Sequence, residues 1–147
     1  MTPINKRIVG GLLIIILFIS LAYVVEWVDR ENAIHSGKVI SVMDHEGKLI
    51  SLMGADVVRA LLKQQFPDDA GAKGPTLLYV VGASGLIGYS EIEVKGLKGS
   101  QVFRIGRQEL TDSLVLECNE RGTVTLVQKS GPRLVLVDDV SEIKRIR

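Results

Sequence analysis

Ile8 to Val25 reads IVGGLLIIILFISLAYVV, eighteen residues in a row without a charge. At about 1.5 Å per helical residue the run spans roughly 27 Å, close to the hydrocarbon thickness of a bilayer. A backbone in hydrocarbon must satisfy its own hydrogen bonds, so the run is expected to be a transmembrane helix. Lys6 and Arg7 precede it, and Glu26, Asp29 and Glu31 follow with Arg30 as the one nearby cation. Tyr23 and Trp27 stand near the far end, where amphipathic rings favour the headgroup layer. The charge bias predicts that the amino-terminal end is cytoplasmic and the remainder extracytoplasmic. The expected division is a cytoplasmic N-terminus over 1–7, a single-pass transmembrane helix over 8–28, a juxtamembrane linker over 29–36 and an extracytoplasmic domain over 37–147. The alternative is a cleaved signal peptide. Ser20-Leu21-Ala22 has small residues at cleavage-site spacing, but Tyr23-Val24-Val25 continues the apolar run beyond it.

Working outward, about 110 residues follow Ser36, enough for one small domain with its own core. The net charge is +1, so no field of the strength needed for nucleic acid is implied. Cys118 is the only cysteine. An internal disulfide and a cysteine zinc cluster are both excluded. Lys144, Arg145 and Arg147 form a small basic cluster, read as a solvated chain segment.

Trp27 to His35 is expected to continue the helix, with Gly37 as its C-cap. Lys38–Met43 and Lys48–Leu52 read as a hairpin about Asp44-His45-Glu46-Gly47. In Gly54–Phe66, Val57, Val58, Leu61, Leu62 and Phe66 recur every three or four residues, which predicts a helix, with Asp56 and Lys63 suiting its dipole. The segment from Pro67 to Pro75 is rich in breakers and reads as a loop. Thr76–Val81 (TLLYVV) is apolar throughout and reads as a strand covered on both faces. Further strands are expected at Glu91–Val94, Gln101–Ile105, Leu114–Cys118, Thr123–Val127, Leu134–Val137 and Val140–Ile146. Asn119–Gly122 and Gly131-Pro132 are read as turns, and Leu110–Asp112 as a helical turn. The predicted class is α+β: a single N-terminal transmembrane helix, then a small, mostly antiparallel sheet domain with one packed helix.

Gly82-Ala83-Ser84-Gly85-Leu86-Ile87-Gly88 follows the run of Leu77–Val81. A strand leading into GxxGxxG resembles the pyrophosphate loop of the short-chain dehydrogenase and epimerase family. Glycines let a backbone approach phosphate, and the helix after them supplies N–H donors. Here Tyr89–Val94 alternates like a strand instead of opening a helix, Glu91 and Glu93 would crowd a phosphate, and no Tyr-x-x-x-Lys is present. Only 59 residues follow Gly88, too few for the remaining units of a dinucleotide fold. The plainer reading is a glycine-rich connection that permits a tight turn.

From Gly54 onward the order of motifs resembles the middle domain of sulfite oxidases and related molybdopterin-binding oxidoreductases. Gly54–Leu62 stands in the position of that family's helix, Leu77–Val81 in that of an apolar strand, and Gly88-Tyr89-Ser90 in that of its turn. Leu114–Leu126 resembles the following hairpin, Gly131-Pro132-Arg133-Leu134-Val135-Leu136-Val137 the Gly-Pro strand, and Val140–Ile146 the last strand. The departures bear on function. The segment Asn32–Met53, where the family's cofactor cysteine would stand, has no cysteine, Ile87 replaces the turn's aspartate, and the arginine- and histidine-rich cofactor pocket is missing. The resemblance therefore implies a short version of the fold that uses no cofactor, without oxidoreductase activity.

Little else in the chain carries chemistry. His35 and His45 are the only histidines, and no further ligands are spaced to make a metal site with them. Ser84 lacks the elbow spacing of a nucleophilic serine. Asp68-Asp69 and Asp138-Asp139 read as solvated turn residues. The expected function is a membrane-anchored, non-catalytic domain that binds a small ligand or a protein partner at Gly82, Ser84, Gly85, Gly88 and Tyr89, because glycine-rich loops at element ends carry ligands. Two alternatives stand beside it: a dinucleotide-binding oxidoreductase-like protein using the same loop, and a structural subunit of a membrane complex.

Overall fold

The computed structural model describes residues 3–97 and 101–146. The chain divides into two compact units, Met1–Ala33 and Ile34–Arg147. The first is accounted for by α1 (Pro3–His35), an uninterrupted helix of 33 residues. Its window Val9–Asp29 is long and apolar enough to cross a membrane, and none of that window is buried by protein. Ser20, the serine in the run, donates to the carbonyl of Ile16 at 2.8 Å, which satisfies it without water. Gly37 takes φ +71° just past the helix end, the conformation a terminating glycine supplies.

The second unit is α+β and mostly antiparallel, as expected. Its elements in order are β1 (Val39–Met43), β2 (Leu49–Gly54), α2 (Ala55–Gln65), α3 (Leu77–Ala83), β3 (Glu91–Gly96), β4 (Val102–Gly106), β5 (Leu114–Cys118), β6 (Val124–Gln128), β7 (Leu134–Val137) and β8 (Val140–Arg145). A five-stranded sheet runs β2-β1-β8-β3-β4 and a three-stranded sheet runs β5-β6-β7. All pairings are antiparallel except β1 with β8, where Val42 lies opposite Ile143. One core joins both sheets and both short helices. Ile40, Val42, Ile92, Val94 and Ile143 come from the larger sheet, Leu116 and Leu126 from the smaller, and Val58, Leu77, Val80 and Val81 from the helices.

Within the expected class the domain contains two short helices and two sheets. One strand expectation needs correction. Residues 77–81, read as a buried strand, are the body of α3. Continuous apolarity does not distinguish strand from helix over seven residues, and in α3 only Leu77, Val80 and Val81 are buried. The local chemistry decides it. Pro75 precedes Thr76, whose hydroxyl caps the helix by accepting from the Tyr79 N–H at 3.2 Å. Gly85, at φ +83°, ends it.

The long loop is held by a close approach. A Cβ on Gly74 would lie 1.9 Å from the carbonyl oxygen of Leu116, so only glycine fits there. Leu116 N–H donates to the Pro75 carbonyl at 2.9 Å, and Thr76 bridges Val115. Residues 75–76 thereby cover the outer edge of β5.

The acidic turn Asp138-Asp139 is not merely solvated. Asp138 accepts from the Thr125 hydroxyl at 3.0 Å and Asp139 from the Thr123 hydroxyl at 2.6 Å, fastening the β7–β8 turn to β6. Of the basic cluster, Arg145 is likewise not merely solvated, since it donates to the Ile87 carbonyl, and Arg147 lies outside the described residues.

Candidate functional site

The glycine segment is assembled as a helix terminus. Gly82 and Ala83 are the last residues of α3, Ser84 is its C-cap, and Gly85 follows. Ser84 N–H donates to the Val80 carbonyl at 2.9 Å and Gly85 N–H to the Gly82 carbonyl at 3.3 Å. The Ser84 hydroxyl donates to the Val81 carbonyl at 2.8 Å. The glycines thus meet the carbonyl end of a helix, which carries partial negative charge. A pyrophosphate loop requires the opposite end, with free N–H groups.

Beyond Gly85 the chain is pinned on one side and open on the other. Leu86 is buried and Ile87 is 76% exposed. Arg145 reaches across from β8, its Nη1 donating to the Ile87 carbonyl at 3.0 Å and lying 3.8 Å from the Asp44 carboxylate. Gly88 takes φ +65° beneath this guanidinium, which lies 4.0 Å from where a Cβ would be. The Asp44 carboxyl is held below its ordinary value, first by a hydrogen bond from the His45 side chain and then by the His45 backbone. His45 Nδ1 lies 2.8 Å from the same oxygen.

Tyr89 then turns into an open groove of about 470 Å³, lined by Tyr89, Ser90, Gly106, Arg107, Gln108 and Glu109. The far wall is the turn that ends β4. Leu110 and Glu109 N–H groups both donate to the Gly106 carbonyl, at 3.1 and 3.0 Å, and Arg107 N–H donates to the Ser90 carbonyl at 2.8 Å. That pairing draws Arg107 over Tyr89, with the guanidinium carbon 5.7 Å from the ring centroid. Cation–π attraction holds a guanidinium at such a distance. Tyr89 is itself 9% exposed and packed in the core, so the groove presents chiefly the exposed Ser90, Arg107, Gln108 and Glu109, a cation, an amide, a hydroxyl and one carboxylate that could meet a polar or anionic group.

Of the five residues expected to bind, the structure brings Tyr89 to this groove. Gly82, Ser84, Gly85 and Gly88 do not line it. The sequence reading missed Arg107, Gln108 and Glu109. Their one local signal is Gly106, a breaker between a strand and a short polar run. Arg107's contribution depends on a pairing between β3 and β4 that periodicity does not reveal.

The other titratable cluster lies on the outer face of the larger sheet. Glu93, almost wholly buried, accepts from Arg104 Nε at 2.5 Å and pairs with Lys95 Nζ at 3.1 Å. Lys95 also reaches Glu142 at 3.4 Å. Burial pushes the Glu93 carboxyl up, but the hydrogen bonds from Arg104 and Lys95 outweigh it and leave it below its ordinary value. Each group has its counter-charge, which is the signature of a structural network. Among the described residues no three histidine, cysteine, aspartate or glutamate side chains converge as metal ligands would. Comparison with protein-family models, with curated proteins and with solved structures finds no match.

Proposed function

We propose that this chain is a membrane-anchored, non-catalytic binding protein. α1 crosses the bilayer with its amino-terminal end in the cytoplasm, and the extracytoplasmic α+β domain takes a small ligand or a protein partner at the Tyr89–Arg107 groove. The observation that carries the reading is α1 itself, whose 21-residue apolar window has no buried face. A core helix of a globular protein hides one side, whereas bare apolar surface all round is what lipid solvates. Lys6 and Arg7 before the window support the orientation. The open groove, lined by the exposed Arg107, Gln108 and Glu109, supports binding over reaction.

The likeness to a cofactor-free middle domain of the sulfite oxidases belongs to the same proposal. It is supported by the helix at 55–65, the hairpin at 114–128 and the two last strands. The helical state of residues 77–83 counts against it. The dinucleotide alternative loses its physical basis, because the glycines stand at the wrong end of a helix.

Two measurements test the proposal. The full chain, expressed in cells, should stay in the membrane pellet after alkaline carbonate washing, with the domain digested only by protease added from outside the cytoplasm. In lipid nanodiscs, an NMR screen of small planar acids should find fragments whose signal transfer is lost in Arg107→Ala. A chain released by carbonate, or fragments that bind Arg107→Ala equally well, would overturn it. A nicotinamide cofactor should give no fluorescence change on mixing.

A further inference from the structure

A cavity apart from the Tyr89–Arg107 groove lies where three segments of the domain meet. The loop after α2 brings Asp69 and Ala72, the turn before β5 brings Asp112, and the residue after β6 is Lys129. Backbone bonds hold these walls in place. Leu116 N–H, on the Pro75 carbonyl, fastens the loop to β5, and Lys129 N–H donates to the Ser113 carbonyl at 2.8 Å, beside Asp112. The space enclosed is about 330 Å³, at the small end of the range for ligand pockets. Phe66 and the buried Val115 give it an apolar wall. Gln65 and Thr76 also face it, but their amide and hydroxyl are bonded to each other.

The charges around this cavity are of both signs and do not pair with one another. Among the described residues the Asp112 carboxylate makes no hydrogen bond or ion pair, and the Asp69 carboxylate accepts only from the Gly71 N–H of its own loop, at 2.9 Å. Lys129 Nζ has one charged neighbour, Glu117 Oε1 at 3.6 Å, which is beyond hydrogen-bond distance. That buried oxygen has no donor, so the Lys129 ammonium is not docked on it and keeps its protons to give. A simple anion entering here would meet two carboxylates, and a simple amine would meet Lys129. A molecule with an ammonium at one end and an anionic group at the other finds a counter-charge for each.

We propose that this cavity binds a free amino acid with an apolar side chain. The ammonium donates to Asp69 and Asp112, the carboxylate accepts from Lys129, and the side chain packs on Phe66 and Val115. An ethanolamine phospholipid headgroup carries the same pair of charges but no apolar side chain, so the Phe66–Val115 wall favours the amino acid.

The test uses the full chain in phosphatidylcholine nanodiscs, with leucine as the probe and NMR signal transfer to its methyl groups as the readout. Isoamylamine, which lacks the carboxylate, and isocaproate, which lacks the ammonium, should each bind at least about tenfold more weakly. Asp112→Asn and Lys129→Gln should each weaken leucine by about tenfold. Asp69→Asn should do the same while keeping an acceptor for the Gly71 N–H, so the loop stays intact. Lys63→Gln, a charge change on α2 outside the cavity, should leave leucine binding unaltered. Equal binding of leucine and either analogue, leucine binding that survives Asp112→Asn and Lys129→Gln, or an equal loss in Lys63→Gln would overturn the proposal. Displacement of leucine by glycerophosphoethanolamine would do the same, assigning the cavity to a lipid headgroup.

Discussion

Gln65, the last residue of α2, holds two polar groups of Thr76: its Oε1 accepts from the Thr76 N–H and its Nε2 donates to the Thr76 hydroxyl, each at 2.9 Å. Thr76 is 3% exposed, caps α3 and bridges to Val115 on β5. One amide therefore fixes the meeting point of two helices and the edge of a sheet, across a loop of ten residues. Gln65→Ala would strand a buried N–H. The expected loss is about 2 kcal/mol, seen as a fall in the calorimetric melting temperature of roughly 10 °C for a domain of this size. Gln65→Glu should recover less than half, since a carboxylate accepts the N–H but cannot donate to the hydroxyl.

Two glycines should respond in opposite ways to alanine. At Gly74 the new Cβ would meet the Leu116 carbonyl oxygen at 1.9 Å, so the loop must lift off β5. Gly74→Ala is expected to destabilise by about 3 kcal/mol. At Gly82, within α3, nothing lies within 4 Å of a Cβ. Gly82→Ala should be neutral or stabilising by up to about 1 kcal/mol through helix propensity. Denaturant midpoints measured side by side check both signs.

Acid should find Glu93. Its carboxyl lies below the ordinary value of 4.5 in the folded chain, so its contribution is fully present above that value and is lost as pH falls through the lower folded one. Wild type should lose stability on acidification below about pH 4.5. Glu93→Gln should start less stable at neutral pH and show a flatter profile over the same range. Parallel profiles for the two would refute the assignment.

Cys118 should react slowly. Its sulfur donates to the Ala55 carbonyl at 3.6 Å, and burial pushes the thiol pKa up, only partly opposed by Arg59. The thiolate is the reactive form. Disulfide-exchange reagents at pH 8 should label the folded chain at least about tenfold more slowly than the urea-unfolded chain.

Much of the fold could be read from local pattern, and the failures have one physical origin. The apolar run of α1, the period of α2, the hairpin turns at Gly47 and Gly122 and the Gly37 terminus are encoded within a few residues of themselves, and each stands where the pattern put it. α3 was misread because its seven residues are apolar on every side, which erases periodicity. Thr76 and Gly85 announced a helix start and stop, but those signals are weaker than TLLYVV suggested a strand. The groove was half legible. Tyr89 was named for its place after the glycines, while Arg107 is brought over it only by pairing of β3 with β4. Asp138, Asp139 and Arg145 were given to solvent because their partners, Thr125, Thr123 and the Ile87 carbonyl, are distant in sequence.

The parallel pairing of β1 with β8 has a consequence for biosynthesis. β8 fills the gap between β1 and β3, so until residues 140–145 emerge from the ribosome the larger sheet exists only as two separate hairpins, β1–β2 and β3–β4. The nascent domain must wait, part-made and with Ile40, Val42, Ile92 and Val94 uncovered, for the strand that closes it. Such a chain has reason to engage a chaperone until β8 is in place.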